Sequence, residues 1–225
     1  MTPSRFSRYH EVLKKRQPDL TVVTDEVHKP RNLSAIIRTC DAVGIHRVHV
    51  AKPDEGYKAF RGTAKGSHRW VKVNTYDDAI VPLEQLKQQG HKIYAAHFSA
   101  QAVDFRMVDY TVPCAVLMGA EKEGVSAEAL KFADREIIIP MSGMVQSYNV
   151  SSAATVILVE AQRQREAAGL YGTRVLSEDE YRRTFFQWAH PKLADYCHQK
   201  GIEYPDLDEE GEVKDSSQLG HMADI

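Results

Sequence analysis

At 225 residues and 43% apolar content, the chain can bury one sizeable core, or a core plus a small appendage. Cys40, Cys114 and Cys197 show no paired spacing, which argues against a zinc site or disulfide framework and for a reducing, cytoplasmic setting. No apolar run reaches the length of a membrane span, no signal-peptide core opens the chain, and the net charge is only −2.

That small net charge hides a polarised chain. Residues 1–72 carry 15 Lys and Arg against 7 acids, residues 73–202 carry 13 against 16, and residues 203–225 carry 1 against 8. A basic first third can meet phosphate whatever the total, although a solvated helix face plus an acidic tail accounts for the same numbers. Residues 4–16 place Phe6, Tyr9, Val12 and Leu13 at helical spacing among Arg5, Arg8, Lys14, Lys15 and Arg16, and Pro18 stops the helix. Residues 20–24 read as a strand, and Asn32 as the cap of a helix over 33–43 that ends at Gly44. Strands follow at 46–51 and 70–73, separated by a Gly-rich basic stretch over 56–69. A helix over 77–89 ends at Gly90, and further strands fall at 92–98, 114–118 and 136–139. Cys114 belongs to the core of its strand. Ser126 caps a short helix reaching Phe132, and residues 150–163 form a small-residue helix with no breaker before Gly169. Beyond Gly172, residues 177–188 and 191–199 read as helices, and the tail from Glu203 is acidic, poor in apolar residues and expected to be mobile.

Strands alternating with helices at this spacing indicate an α/β fold, a mainly parallel sheet with helices on both faces. Ligands gather at the carboxyl ends of such strands. Three strand ends carry suitable loops: residues 96–99, Gly119-Ala-Glu121, and the stretch from Pro140 to Asn149. Gly119-Ala-Glu-Lys-Glu-Gly124-Val-Ser126 has the setting of a phosphate-cradling loop, but Val125 stands where the lysine must be, so a nucleotide hydrolase is excluded. No dinucleotide fingerprint occurs either, so the glycines suit a close approach to an adenosine rather than a phosphate. On spacing alone, Ser147 or Asn149 is an N-cap, Glu121 a partner for a helix N-terminus, and Arg38 half of a structural ion pair. The ten histidines show no ligand spacing, so no metal is expected.

Three ordered blocks point further. Asn32-Leu-Ser-Ala-Ile-Ile-Arg38-Thr, Leu117-Met-Gly119-Ala-Glu121-Lys-Glu-Gly124-Val-Ser and Ile139-Pro-Met-Ser-Gly-Met-Val-Gln-Ser147-Tyr-Asn149-Val-Ser-Ser-Ala resemble the three sequence motifs of the SpoU/TrmH branch of the SPOUT RNA 2'-O-methyltransferases. The likeness includes His28-Lys-Pro-Arg-Asn32 and Val103-Asp-Phe, and covers at least residues 1–170. It implies a trefoil knot, which general topology rules would disfavour. It also implies methyl transfer from S-adenosylmethionine to the ribose 2'-hydroxyl of a guanosine in tRNA, with guanosine 18 of the D-loop as the expected position. Arg38, Asn32, Glu121, Ser147 and Asn149 would form the catalytic site, with Asn32 holding Arg38 and the loop in place. Ala96, Gly119, Ile139 and Tyr148 would line the cofactor pocket. Arg8, Arg16 and Arg31 are expected to meet RNA phosphates. The implied organisation is a basic helical extension over 1–19, a methyltransferase domain over 20–170 and a helical extension with acidic tail over 171–225. The resemblance further implies a homodimer paired through the helix after Asn149, in which Arg38 completes a site with the partner's cofactor loop. Two other readings remain open: a ribosomal-RNA 2'-O-methyltransferase, and a non-catalytic RNA-binding module.

Overall fold

A computed structural model describes residues 1–51, 69–121, 123–173 and 175–214. The stretch 56–69 lies outside the described residues except for Arg69, as does the chain beyond 214. The described chain divides into two compact units, one comprising Gln17–Tyr171 and the other Met1–Arg16 with the described part of Gly172–Ile225.

Seven strands form the sheet of the larger unit: β1 Leu20–Thr24, β2 Arg47–Ala51, β3 Lys72–Tyr76, β4 Lys92–Ala96, β5 Val103–Asp104, β6 Cys114–Met118 and β7 Arg135–Ile138. Their order is β3-β2-β1-β6-β4-β7-β5, and every ladder is parallel. β1 and β6 pair from Leu20↔Cys114 to Thr24↔Met118 and are buried at all five positions. Continuous burial is what a parallel sheet covered on both faces demands.

Alternation along the strands sorts side chains into two cores. Leu20, Val22, Cys114, Val116 and Met118 face one way and meet Leu33, Ile36 and Ile37 of α2 (Pro30–Ala42) and Ala154, Ile157 and Leu158 of α5 (Val150–Ala167). Val23, Ala115 and Leu117 face the other way, onto Leu83 and Leu86 of α3 (Ile80–Gln88) and Ala129 of α4 (Ala127–Leu130). Burial pushes the Cys114 thiol up to about 12, which leaves it an inert core group.

Several boundaries move for physical reasons. α2 begins at Pro30, three residues before the expected start, because proline has no N–H to satisfy in a first turn. Asn32 therefore lies inside that turn, its N–H bonded to the Lys29 carbonyl at 2.9 Å, and is not the cap. The end of α2 is as expected: Gly44, at φ 82°, takes the left-handed conformation that closes it. β3 occupies Lys72–Tyr76 rather than 70–73 because its register is set by β2, from Arg47↔Lys72 to Ala51↔Tyr76. α5 continues to Ala167, so Arg165 falls within it and is fully buried.

The smaller unit contains α1 Pro3–Lys14, α6 Glu178–Ala189 and α7 Pro191–Lys200. Ser177 caps α6 by accepting from the Glu180 N–H at 3.2 Å. Aromatic edges join α1 to α6: Phe6 lies 5.4 Å from Phe185, and Tyr9 lies 5.7 Å from Trp188 between ring centroids. The described start of the tail, residues 203–214, packs within this unit. Tyr204 stacks on Phe186 at 4.6 Å, Leu207 bridges Val213, and these few apolar side chains join Leu193 and Cys197 in one cluster.

Candidate active site

The carboxyl ends of β4, β6 and β7 open into a cleft of about 390 Å3. Ala96 closes β4, Gly119 and Glu121 follow β6, and Ile139 with Ser147 and Tyr148 follows β7; all line this cleft, with Met118, Ile137 and Met141 supplying apolar wall. All four residues expected to hold a cofactor thus share one cavity of small-ligand size.

The turn after β6 is built by two glycines. Ala120 N–H donates to the Gly124 carbonyl at 2.9 Å, and Gly124 N–H returns the bond to Ala120 at 3.0 Å. A Cβ on Gly119 would sit 2.1 Å from the Gly124 carbonyl carbon, so no other residue fits this crossing. Gly124 itself has φ 73°, with His97 Nδ1 3.3 Å from its Cβ direction. Asp25 braces the turn from β1. Its N–H continues the ladder to the Met118 carbonyl at 2.8 Å, and its carboxylate accepts from Ser126 N–H at 2.8 Å as Ser126 caps α4.

Across the mouth of the cleft runs a chain of side chains from three separate elements. Asn149 caps α5, its Oδ1 accepting from Ser151 N–H at 3.0 Å and from Ser151 Oγ at 2.7 Å. Capping and membership of the site are thus the same geometry at Asn149. Its amide donates to Asn32 Oδ1 at 3.3 Å, and the Asn32 amide in turn donates to Glu121 Oε1. Lys29 Nζ lies 3.3 Å from Glu121 Oε2. Motif residues 117 sequence positions apart are therefore linked by hydrogen bonds.

Arg38 stands apart from this chain. It is exposed on α2 and does not line the cleft, and among the described residues the Asn32 side chain bonds to Glu121 and Asn149 rather than to Arg38. The expectation that Asn32 holds Arg38 is corrected accordingly. Arg31 is exposed in the first turn of α2. Arg8 is exposed on α1, with only Glu11, itself exposed, at 3.3 Å. Arg16 is a second correction: it lies beyond the end of α1, is fully buried, and packs its guanidinium 5.3 Å over the Trp188 ring. In the free protein Arg16 is therefore closed to an RNA phosphate. Sequence reading passed over Lys29 and Asp25, whose significance shows only when their distant partners at 121 and 126 are in place.

A parallel α/β sheet with a small-ligand cleft at its strand ends, lined by glutamate and serine and with an asparagine pair bonded to that glutamate, defines the class of protein. The model of the SpoU rRNA Methylase family matches residues 19–159, and that of the SpoU rRNA methylase C-terminal region matches residues 163–216. The chain belongs to the SpoU methylase family. The tRNA (guanosine(18)-2'-O)-methyltransferase of Escherichia coli K12 is 49% identical over 95% of this chain and 94% of its own length. A solved A. aeolicus TrmH/SpoU tRNA modifying enzyme superposes with a TM-score of 0.75 at 42% identity, over 89% of this chain and 98% of that one. The SpoU methyltransferase AviRb of Streptomyces viridochromogenes, solved in complex with the cofactor AdoMet, gives 0.60 at 26% identity over 68% of this chain and 62% of that one.

Proposed function

We propose that this protein transfers a methyl group from S-adenosylmethionine to the ribose 2'-hydroxyl of a guanosine in tRNA, guanosine 18 being the position its relatives point to. The observation that carries this reading is the convergence of the second and third motifs on one cleft, with the first joined to them by the hydrogen-bonded chain from Asn149 through Asn32 to Glu121. The cleft suits the methyl donor: Ala96, Gly119, Ile139 and Tyr148 would hold it, in a wall of small and apolar side chains. When bound, the donor supplies an electrophilic methyl on a sulfonium, and no metal is needed. Asn149, Asn32 and Glu121 fix the loops that frame the reacting ribose, and Ser147 sits at the cleft wall beside them. The Arg38 guanidinium stabilises the oxyanion developing at the 2'-oxygen, together with a neighbouring RNA phosphate.

Arg38 is exposed and away from the cleft of its own chain, which favours a homodimer in which it completes the partner's site. Val159 of α5 is 51% exposed and offers an apolar contact for pairing through that helix. An active monomer at micromolar concentration in sedimentation would refute this part. The knotted threading of the 139–149 loop belongs to the same reading, supported by Ile139, Met141, Ser147 and Tyr148 of that loop lining one cleft with Gly119, Glu121 and Gly124. So does a division of labour in which residues 20–170 carry the chemistry while residues 1–19 and 171–225 grip tRNA through Arg8 and, from the catalytic side, Arg31 does the same. Among the described residues no helix is long and apolar enough to cross a membrane, and a tRNA substrate supports a cytoplasmic setting.

The test is methylation of total tRNA with labelled S-adenosylmethionine, followed by mapping of the modified ribose. One 2'-O-methylguanosine in the D-loop is expected. Incorporation into ribosomal RNA alone would support the ribosomal alternative, and binding without incorporation would support the non-catalytic one.

A further inference from the structure

α2 opens with residue types that its own stability does not explain. Lys29 occupies the cap position, makes no side-chain cap, and brings a positive charge to the positive end of the helix dipole; the first turn contains no acid. The missing negative charge arrives from another element. Glu121, on the turn after β6, directs its carboxylate at this helix start, with Oε1 taken by the Asn32 amide and Oε2 by Lys29 Nζ at 3.3 Å. The two ends of this pair are unequal. The Lys29 side chain is 68% exposed, whereas that of Glu121 is 19% exposed. A carboxylate largely withdrawn from water needs both oxygens satisfied, or it turns to find solvent.

We propose that Lys29 is a positioning residue for the methyl-transfer site: it clamps Glu121, and through Glu121 fixes the Asn32 amide and the Asn149 cap. The inference rests on the functional reading above, which places Glu121 in the active site. Released from Lys29, Glu121 can rotate about its side chain. Asn32 then loses its fixed acceptor, and its bond to Asn149 at 3.3 Å loses its orientation. Of these residues only Glu121 lines the cleft, and Ala96, Gly119, Ile139 and Tyr148 take no part in the contacts, so donor binding is expected to change little. Lys29 acts on geometry, not by gripping RNA.

The alternative roles of a lysine here are a direct phosphate contact and an idle surface ion pair, and kinetics separate them. Lys29→Met keeps the aliphatic stem and removes the charge. It is expected to lower kcat on tRNA by on the order of tenfold, while KM for tRNA and the Kd for S-adenosylmethionine stay within about twofold. The melting temperature should move by only about a degree or two, as for an exposed lysine. Lys29→Arg, which preserves a cation within reach of the carboxylate, should restore most of kcat. In single-turnover measurements, Lys29→Met added to Glu121→Gln should cost nothing beyond Glu121→Gln alone, because the two act as one unit. A raised KM with unchanged kcat, and losses that add to those of Glu121→Gln, would overturn the proposal in favour of a phosphate contact. Wild-type kcat and KM in Lys29→Met would overturn it in favour of the idle pair. Wild-type activity in Glu121→Gln with a slow Lys29→Met would instead refute the placement of Glu121 in the active site.

Discussion

The two edges of the sheet each carry a polar network, and they are built on opposite principles. At the amino ends of the strands, Arg165 is fully buried. It donates through Nε to the Tyr110 carbonyl at 2.8 Å, through Nη1 to Gln17 Oε1 at 2.9 Å and Asp19 Oδ1 at 2.7 Å, and through Nη2 to the Val112 carbonyl at 3.0 Å. Two of those acceptors are backbone groups just ahead of β6, and Gln17 and Asp19 lie just ahead of β1, so strand pairing fixes the cage. At the carboxyl ends, the chain from Asn149 through Asn32 and Glu121 to Lys29 uses side chains alone, and Lys29 and Asn149 are exposed. A network closed on backbone carbonyls is rigid and has nothing left to offer a ligand. One closed on side chains at helix starts stays open to a substrate, at the cost of needing every member to hold the next.

The contrast breaks first at Arg165. Arg165→Met should cost about 3–5 kcal/mol, since it leaves buried carbonyls and Asp19 without their donor, and urea denaturation would read it directly. The fraction that folds should bind S-adenosylmethionine with unchanged affinity. A loss under about 1 kcal/mol would mean that the cage is not what closes this edge. Next comes Arg38→Ala on α2. It should lower kcat by about a hundredfold to a thousandfold, with donor affinity and melting temperature preserved, because the role proposed for the guanidinium is in the transition state and it is exposed in the resting chain. Near-normal turnover would reduce Arg38 to a structural residue. Asn149→Ala is expected to show a mixture of both. Loss of the α5 cap should cost about 1 kcal/mol of stability, and kcat and donor affinity should fall together because Asn149 both starts the helix and orients Asn32. A pure stability effect would leave Asn149 as a cap alone.

How far these edges were legible in the sequence follows the same division. β1 and β6 match the strands expected at 20–24 and 114–118 because the β-branched run Leu20–Thr24 after Pro18 and the apolar run Cys114–Met118 between Pro113 and Gly119 have no other home. β3 was misplaced because its bounds come from β2, which local propensity cannot register. The cleft residues Ala96, Gly119, Ile139, Ser147 and Tyr148 could be named because strand-end loops announce themselves and the motifs resemble those of a known family. Asn32 was taken for a cap because asparagine is a good one, while the true start, Lys29-Pro30, lacks any cap signal. Arg165 was invisible. Its four partner residues lie between 53 and 148 positions away, and nothing within α5 distinguishes it from the exposed Arg163 two residues earlier.

The smallest expected effect tests the same lesson in the other unit, where Arg8 and Arg16 looked alike in sequence. Arg8 is on an exposed face of α1, tied only to an exposed Glu11, a pairing that contributes little in water. Its guanidinium is free to leave Glu11 for a phosphate, so Arg8→Ala should weaken tRNA binding and reduce the slope of log affinity against log salt by about one unit. Arg16 is sealed over Trp188, where a desolvated cation–π contact is worth about 2 kcal/mol. Arg16→Ala should therefore lower the unfolding midpoint and leave the salt slope as in the parent protein. Filter binding across a salt series, paired with denaturation of both variants, measures the two effects side by side. Equal salt slopes for Arg8→Ala and the parent would mean that the α1 charges only keep an exposed helix solvated. A shallower slope in Arg16→Ala would mean that Arg16 leaves Trp188 for RNA, and that burial in the free protein does not decide which arginines meet phosphate.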